Sequence, residues 1–297
     1  MDSHSKKVLI TGVDGFTGTH LAKKLRSLGM NVVGTTRVST GRGEVYELDI
    51  TDKEDVTRVL NKVKPDYIIH LAAISFVAHA DSSEFYKVNV IGTENILQCA
   101  LESKAVFEKI IISSSANVYG NNDIDMISEL ASPEPVNHYA CSKLAMEKII
   151  ANYFNKLPII ISRPFNYTGI GQANHFLVPK IVAHFKEKKS AIELGNLDVS
   201  RDFSSIDFVV DSYVSLLLSD ITSEVVNICS GRSYSLLQII EYLEEISGDS
   251  IDIRINPSFV RENEVKTIAG DNRKLLTFCP NLKVISLYET LSEMYKE

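Results

Sequence analysis

The chain has 297 residues, with 31 lysines and arginines against 38 aspartates and glutamates, which gives a formal net charge of −7. This length allows one or two domains, and a content of 44% hydrophobic and 23% charged residues excludes a disordered or fibrous protein. An acidic balance without a dense basic run argues against nucleic acid as a partner.

The longest apolar stretch, residues 67–80, is interrupted by His70 and His79 and is too short to cross a bilayer. The first residues lack the apolar segment of an export signal, so we expect a cytoplasmic protein without a membrane partner. The four cysteines are isolated and lack the spacing of metal ligands. We therefore expect reduced thiols and no metal site.

Short apolar runs alternate with helical periodicity through the first half of the chain. Strands are predicted at 8–10, 31–33, 45–48, 67–71, 110–113 and 158–161, and helices at 16–28, 53–63, 85–103 and 137–154. Strands that are apolar on both faces are typical of a parallel sheet covered by helices. The pattern predicts an α/β fold with a doubly wound parallel sheet of the Rossmann type.

The regular alternation weakens after about residue 163, where turn-forming segments separate shorter elements and a helix is expected at 234–246. We predict a larger domain of residues 1–165, completed by a returning segment at about 204–230. Residues 166–203 and 231–297 are predicted to form a smaller C-terminal α/β lobe that binds the substrate.

Three glycines, Gly12, Gly15 and Gly18, stand three residues apart between the first predicted strand and the first predicted helix. This spacing allows a tight turn and a close approach of the backbone to a pyrophosphate, which the helix N-terminus attracts. Because the motif directly follows the first strand, we interpret residues 1–165 as a dinucleotide-binding domain and add Phe16 and Thr17 to the site.

Tyr139 and Lys143 lie four residues apart, so both side chains project from the same face of one predicted helix. An unperturbed phenol has a pKa of about 10, and a nearby cation favours its ionised form. The pair could therefore exchange a proton with a substrate oxygen. A serine run, Ser113 to Ser115, follows the strand at 110–113, at the sheet edge where α/β enzymes build their sites.

These motifs resemble those of the extended short-chain dehydrogenase/reductase family, also called the NAD-dependent epimerase/dehydratase family. The resemblance covers nearly the whole chain and implies NADP or NAD as cofactor. It implies that Tyr139 is the acid–base group and that Lys143 supports it and binds the nicotinamide ribose. Ser115 is implied to hydrogen-bond the reacting oxygen, with Ser114 as the alternative. A homodimer formed through a four-helix bundle of the helices at 85–103 and 137–154 is also implied.

The same resemblance implies further cofactor contacts at Asp49, Ile50, Leu71, Ala72, Ala73 and Asn89. Arg37 ends the second strand, where a carboxylate would bind the ribose hydroxyls of NAD. Its guanidinium therefore favours NADP over NAD. The alternatives are a solvated surface arginine at position 37 and a turn aspartate at position 49.

The resemblance implies a nucleotide-diphosphate sugar as substrate, bound by Asn117, Asn166, His175, Val178, Lys180, Arg201 and Arg261. Arg201 can hold two phosphate oxygens at once, and an ion pair with Asp202 is its structural alternative. Asn117 stands where related sugar-nucleotide dehydratases commonly have Glu. Because an amide cannot transfer that proton, dehydration is disfavoured.

The wording of residues 163–172, 195–203 and 270–274 looks most like that of GDP-4-keto-6-deoxy-D-mannose reductases, which make GDP-D-rhamnose. The resemblance thus implies an NAD(P)H-dependent reductase of the C4 ketone of a nucleotide-linked 4-keto-6-deoxy sugar. The alternatives are a dTDP- or CDP-4-keto-6-deoxyhexose reductase and a nucleotide-sugar 4-epimerase, which uses the same three side chains. A dinucleotide-sensing regulator is the non-enzyme alternative.

Overall fold

The computed structural model describes residues 5–38, 44–75, 81–121, 124–259 and 267–297. Its strands are β1 Lys7–Thr11, β2 Asn31–Thr36, β3 Val45–Glu47, β4 Tyr67–His70, β5 Lys109–Ser113, β6 Ile159–Pro164, β7 Asn166–Thr168, β8 Ala191–Leu194, β9 Ser200–Ser205, β10 Glu224–Ile228, β11 Ser233–Ser235, β12 Asp252–Ile255 and β13 Thr267–Ile268. Its α-helices are α1 Phe16–Ser27, α2 Lys53–Val63, α3 Ser82–Phe85, α4 Thr93–Glu102, α5 His138–Ile150, α6 Leu177–Lys186, α7 Ile206–Leu218, α8 Leu236–Ser247, α9 Arg273–Phe278 and α10 Leu287–Lys296. A π-helical segment, Tyr86–Gly92, joins α3 to α4.

Seven parallel strands form the main sheet, in the order β10-β6-β5-β4-β1-β2-β3. β1 pairs with β2 on one side and with β4 on the other, so the strand order reverses at β1. The carboxyl ends of the strands open a crevice at such a point, where ligands bind in folds of this type. The predicted doubly wound α/β fold is confirmed.

Apolar side chains cover both faces of this sheet, as the continuous apolarity of its strands predicts. On one face Leu21 and Leu25 of α1 pack with Val209 of α7 against the strands. On the other face Val59 of α2 and Met146 of α5 belong to the buried layer. The sheet is thereby packed between two layers of helices.

A separate hydrophobic cluster joins α6, α8 and α10, with Val178, Ile239 and Leu291 among its buried members. Two smaller sheets accompany it. In one, β9 pairs with β7, β11 and β13, and in the other β8 pairs with β12. Since α7 and β10 return to the main sheet, this arrangement is compatible with the predicted division of the chain, which stays a prediction.

The predicted elements differ from the observed ones mainly where tertiary pairing intervenes. The helix expected at 234–246 begins at Leu236, because Tyr234 lies in β11 opposite Arg201 of β9. The helix expected at 85–103 is interrupted by the π-helical segment. Among the helices of the described residues, none is long and apolar enough to span a membrane.

Candidate active site

The glycine turn lies between β1 and α1 and leaves its backbone bare. Gly12 has φ +71°, and a β-carbon there would lie 3.0 Å from the Ala72 backbone nitrogen. A β-carbon on Gly18 would lie only 2.3 Å from the Gly12 carbonyl oxygen. Gly15 forms the N-cap of α1 with no side chain in the way. The turn therefore has the shape required to hold a pyrophosphate against a helix N-terminus.

A cavity of about 300 Å³ extends from the glycine turn along the carboxyl ends of β1, β2 and β4. Its lining includes Gly12, Asp14, Thr36, Arg37, Asp49, Ile50, Ala72, Ala73, Ile74, Lys87 and Val88. Small side chains form one wall, and polar groups stand at its far end. Because the bare turn and the cavity are continuous at Gly12, the residues present fit a dinucleotide.

The far end of the cavity carries charges of both signs. The Asp49 carboxylate accepts hydrogen bonds from the Thr51 backbone N–H at 2.9 Å and from the Thr51 hydroxyl at 2.7 Å. The Thr51 hydroxyl bond is the main cause that lowers the pKa of Asp49, and the nearby cations Arg37 and Lys87 lower it further. Asp49 is thus both a turn aspartate and a residue of the cavity wall.

Tyr139, Lys143 and Ser115 lie together at the carboxyl edge of the main sheet. The Tyr139 side chain forms a hydrogen bond with the Ser115 side chain. Lys143 follows one turn later on α5, and its Nζ donates to the Ser113 carbonyl at 2.8 Å. α5 begins at this position because Asn137 caps it by accepting a hydrogen bond from the Ala140 N–H at 2.9 Å.

Burial dominates the charge state of the tyrosine and the lysine. It raises the pKa of Tyr139 to about 12, and the Ser115 hydrogen bond lowers it by less. It lowers the pKa of Lys143 to about 8, against an upward effect of Glu147. The spacing predicts that a nearby cation favours the phenolate, whereas in the structure burial sets the direction of the shift and the Ser115 hydrogen bond is what opposes it. The site therefore holds a protonated phenol beside a charged ammonium at neutral pH.

Of the two serine candidates, Ser115 is the one that contacts Tyr139. Ser115 Oγ also accepts the Asn117 N–H at 3.2 Å, whereas the Asn117 side chain is exposed. The hydroxyl of Ser114 is buried and has no hydrogen-bond partner in the structure. Ser115 is thus the hydroxyl that can act together with the tyrosine on one oxygen atom.

Two further tyrosines line this region, and sequence reasoning assigned them no role. The Tyr213 hydroxyl, on α7, lies 3.0 Å from Ser113 Oγ. The Tyr167 hydroxyl, on β7, lies 2.8 Å from Thr17 Oγ1, and its ring stacks on Phe16 at 6.1 Å. No motif spacing marks either residue, since only tertiary packing brings Tyr167 to Thr17 and Tyr213 to Ser113.

Two of the residues expected to contact the cofactor also have contacts within the protein, and their contact with the cofactor stays a prediction. Leu71 is half-buried and packs against the hydrophobic layer of α1 and α7. Asn89 is fully buried, and its side-chain amide hydrogen-bonds the Ile74 backbone, with 2.9 Å to its N–H and 3.2 Å to its carbonyl. Asn89 thus shapes the cavity wall through Ile74.

The expected substrate residues lie in different parts of the structure. Asn166 and Arg201 lie on the adjacent strands β7 and β9, where Asn166 is in register with Phe203. His175 is exposed, with its ring 4.3 Å from that of Phe176. Arg261 lies outside the described residues.

Val178 departs from the expectation, whereas the substrate contact of Lys180 stays a prediction. The Lys180 ammonium donates to the Glu193 carbonyl at 2.8 Å and lies 4.8 Å from the centre of the Phe259 ring. Val178 is 2% exposed in the cluster of α6, α8 and α10, so its side chain cannot contact a substrate. Helical spacing alone did not separate its buried face from its open one.

The suggested ion pair between Arg201 and Asp202 is not the main role of this aspartate. Asp202 is fully buried, and its carboxylate accepts hydrogen bonds from the Ser230, Gly231 and Gly270 backbone N–H groups at 2.8, 2.9 and 3.3 Å. Asp202 thereby joins β9 to the turns on both sides.

A glycine turn on a doubly wound sheet, followed by a serine, a tyrosine and a lysine at one sheet edge, defines a dinucleotide-dependent enzyme of the short-chain dehydrogenase/reductase class. The chain belongs to the extended branch of that class, in the family described as GDP-mannose 4,6 dehydratase, whose profile matches residues 9–279. Its relatives are dehydrogenases, reductases, dehydratases and epimerases of nucleotide sugars, and the protein is an NAD(P)-dependent oxidoreductase-type enzyme.

The chain is 40% identical to a GDP-6-deoxy-D-talose 4-dehydrogenase of Aggregatibacter actinomycetemcomitans, over 98% of its own length and 97% of the relative. It is 29% identical to a GDP-6-deoxy-D-mannose reductase of Pseudomonas aeruginosa, over 91% and 90% of the two chains.

Two solved structures illustrate the similarity of the folds. RMD from Pseudomonas aeruginosa, complexed with NADPH, superposes with a TM-score of 0.85 at 26% identity, over 98% of this chain and 97% of that one. UDP-glucuronic acid 4-epimerase from Bacillus cereus, with UDP-glucuronic acid and NAD, superposes with a TM-score of 0.86 at 27% identity, over 98% of each chain.

Proposed function

We propose that the protein reduces the C4 ketone of GDP-4-keto-6-deoxy-D-mannose with NADPH or NADH. The observation that carries this proposal is the position of Tyr139, a buried phenol that is hydrogen-bonded to Ser115 and lies one helical turn from Lys143 on α5. A phenol that holds its proton at neutral pH is suited to protonate the alkoxide that a reduction creates.

Each side chain has a separate task in this reaction. The hydroxyls of Ser115 and Tyr139 hydrogen-bond the ketone oxygen and orient it. Tyr139 donates its proton to that oxygen, and the Lys143 ammonium stabilises the phenolate left behind. A reduced nicotinamide bound next to them supplies the hydride to C4.

The relatives support a GDP sugar and bear on the configuration of the product. The names of both relatives specify GDP-linked 6-deoxyhexoses, which favours GDP over dTDP or CDP. Oxidation of GDP-6-deoxy-D-talose at C4 gives the same ketone that the reductase interpretation requires. The resemblance of the sequence motifs implies GDP-D-rhamnose as the product, whereas the 40% identical relative favours its C4 epimer, GDP-6-deoxy-D-talose. We propose the talo product and keep the rhamno product as the alternative.

We further propose that NADP is the preferred dinucleotide. Arg37 and Lys87 both line the cavity and lower the pKa of the Asp49 carboxyl, and Lys87 also lies 3.8 Å from Glu84 of the same lining. Two cations at the position of an adenosine ribose favour a 2′-phosphate.

A homodimer formed through α4 and α5 is also proposed. Ile91 and Leu101 are 46% and 41% exposed on the segment that would form the four-helix bundle. Light scattering at micromolar concentration should give the mass of two chains, and a monomer there would refute this part.

The 4-epimerase alternative uses the same three side chains, and a 4-epimerase is among the similar structures. The two reactions differ in their redox balance. Reduction consumes one NAD(P)H per sugar, whereas epimerisation returns the cofactor unchanged. Dehydration is disfavoured because Asn117 cannot transfer the proton that a carboxylic acid would.

The decisive experiment incubates the purified protein with GDP-4-keto-6-deoxy-D-mannose and NADPH. We expect stoichiometric loss of NADPH absorbance. The proton NMR spectrum should show small couplings at H4 for the talo product, whereas the rhamno product would give large ones. If the protein instead interconverts GDP-6-deoxy-D-talose and GDP-D-rhamnose without net reduction of NADP, it is the epimerase.

Substitution of the tyrosine tests its role directly. Tyr139→Phe should lower kcat by about 10²- to 10⁴-fold while NADPH still binds, since only the proton donor is lost. Tyr153→Phe, a core tyrosine just beyond the same helix, serves as the matched control and should retain activity. Full activity in Tyr139→Phe would refute the mechanism.

A further inference from the structure

A buried histidine links β1, β4 and α4 behind the wall of the cofactor cavity. His70, the last residue of β4, is 2% exposed. Its Nδ1 lies 2.7 Å from Thr11 Oγ1 on β1, and its Nε2 lies 2.9 Å from Thr93 Oγ1 at the start of α4. The proposed reduction uses none of these three groups.

The other partners of the two threonines determine which imidazole nitrogen carries the hydrogen. Thr93 Oγ1 donates its one hydrogen to the Asn89 carbonyl at 2.7 Å, so it can only accept from Nε2–H of His70. Nδ1 is then bare and accepts from Thr11 Oγ1, which itself accepts the Ala72 N–H at 3.2 Å. Each of these hydrogen bonds therefore has a defined donor and acceptor, and all of them can form together only when the imidazole is neutral.

The surroundings of His70 favour that neutral form. Burial is the main cause that lowers its pKa to about 3, and the charge of Lys143 lowers it further. The ring therefore stays neutral over the whole physiological range.

One end of the chain lies at the cofactor cavity. Ala72 lines the cavity, and its backbone nitrogen is the atom that a β-carbon on Gly12 would meet at 3.0 Å. The bond from Ala72 to Thr11 thus determines how closely this wall approaches the glycine turn.

The other end lies at the helix that carries the tyrosine. Asn89, whose carbonyl receives the Thr93 hydroxyl, donates through its side-chain amide to Ser142 Oγ at 3.0 Å. Ser142 Oγ in turn donates to the Tyr139 carbonyl at 2.7 Å, within the first turn of α5. The hydrogen-bond chain therefore extends from the cofactor wall to the backbone of Tyr139.

We propose that His70 is a positioning residue whose two nitrogens serve different parts of the site. Nδ1 holds the Ala72 wall of the cofactor cavity, and Nε2 holds the Asn89–Ser142 contact that orients the first turn of α5. The inference rests on dinucleotide binding and on the place of Tyr139 in the proposed reaction, but not on the identity of the sugar.

Two substitutions test the roles of the two imidazole nitrogens separately. The amide oxygen of His70→Asn can reach the position of Nδ1 and keep an acceptor for Thr11. The longer His70→Gln can reach the position of Nε2 and keep a donor for Thr93. In calorimetric titrations with NADPH, we expect the Kd of His70→Gln to rise about tenfold and that of His70→Asn to stay within about twofold of wild type.

The second readout is made on α5. In the NADP-bound protein, His70→Asn should speed hydrogen exchange in the peptide that contains the first turn of α5, and His70→Gln should not. Turnover should change in the same variant as hydrogen exchange. We expect kcat to be about tenfold lower in His70→Asn and unchanged in His70→Gln. His184→Asn, at a half-buried histidine of α6 whose Nδ1 contacts the Lys180 carbonyl, is the matched control and should leave all three quantities unchanged.

Changes of equal size in both variants, or a lower melting temperature with neither Kd nor exchange affected, would make His70 a packing residue and overturn the proposal. A proton on Nδ1 in the ¹⁵N spectrum of the wild-type imidazole would overturn it as well. If the wild type fails to reduce the sugar, the proposed function is refuted, while calorimetry and hydrogen exchange still decide the role of His70.

Discussion

Tyr139 and Lys143 share one face of α5 and one desolvated environment, which moves their pKa values in opposite directions. Burial raises the pKa of Tyr139 to about 12 and lowers that of Lys143 to about 8. Because burial disfavours the charged form of either group, the phenol keeps its proton while the ammonium comes close to losing one. The pKa values of these two residues therefore determine the pH range in which the site can carry out the reduction.

Reduction should therefore be constant below about pH 8 and fall about tenfold per pH unit above it, as Lys143 loses its proton. Ionisation of Tyr139 does not change the rate in this range, since its pKa is about 12. Initial rates at saturating substrate test this, with NADPH affinity measured over the same range as the control. A rate that stays constant up to pH 10 would contradict the assignment of Lys143. Lys143→Met should lose most of the activity, and the rate that remains should no longer fall above pH 8.

The cofactor preference depends on two single charges. Arg37→Ala should raise the Kd for NADPH about tenfold and leave that for NADH nearly unchanged, because only NADPH carries the 2′-phosphate. Lys87→Ala should have a smaller effect of about threefold, since the Lys87 ammonium lies 3.8 Å from the Glu84 carboxylate, which offsets part of its charge. Calorimetry with both cofactors measures this, and Lys23→Ala, on the exposed face of α1, is the control. Equal losses for NADH and NADPH would refute the NADP preference.

At the scale of elements, the segment from α3 to α4 shows how local geometry positions the site. A π-helical segment, Tyr86–Gly92, interrupts the expected single helix. The wider turn directs Asn89 into the protein, where it is fully buried, while Lys87 and Val88 line the cavity. Interruptions of this kind are frequent at functional sites.

Strand β9 has a comparable role in the substrate region, because its buried Asp202 anchors turns on both sides. Asp202→Asn would place an amide N–H₂ group against backbone N–H donors, so we expect a loss of about 2 kcal/mol in the free energy of unfolding. Urea denaturation measures the effect. Asp207→Asn, at an exposed position in the first turn of α7, should change stability by less than about 0.5 kcal/mol. Equal stabilities of the two variants would show that Asp202 does not hold these turns.

At the scale of the whole molecule, one buried ion pair connects the tyrosine-bearing helix to the main sheet. Arg163 of β6 donates to Glu147 of α5 through Nε at 2.9 Å and Nη2 at 2.6 Å. Its Nη1 also donates to the Tyr119 hydroxyl at 2.9 Å, and that hydroxyl donates to Asn227 Oδ1 of β10 at 2.7 Å. These hydrogen bonds connect α5, β6 and the returning strand β10 beneath the site.

Replacing one member of this ion pair should lower the free energy of unfolding more than replacing both members. Glu147→Gln leaves the Arg163 charge buried without a counterion and should lower the free energy of unfolding by about 3 to 5 kcal/mol. The double variant Glu147→Leu with Arg163→Met should be less destabilised than the single one. Guanidinium denaturation of wild type and variants tests the prediction, and a double variant that is weaker than Glu147→Gln would contradict it.

The fold class and the main chemical groups of the site can be predicted from the sequence, because both depend on local patterns. Continuous apolar strands and helical periodicity indicate a covered parallel sheet, and glycines three residues apart leave a bare turn after β1. The Tyr139 and Lys143 pair follows from the pitch of one helix.

Only the tertiary structure decided which side chains meet and which are buried. Val178 was expected at the substrate but lies in the core, since a helical pattern does not say which partner covers each face. Tyr213 and His70 acquire their contacts from residues far away in the chain, with Ser113 and with Thr11. The pKa of Tyr139 depends on desolvation by the whole fold, and desolvation is a property of three-dimensional packing that residue spacing does not encode.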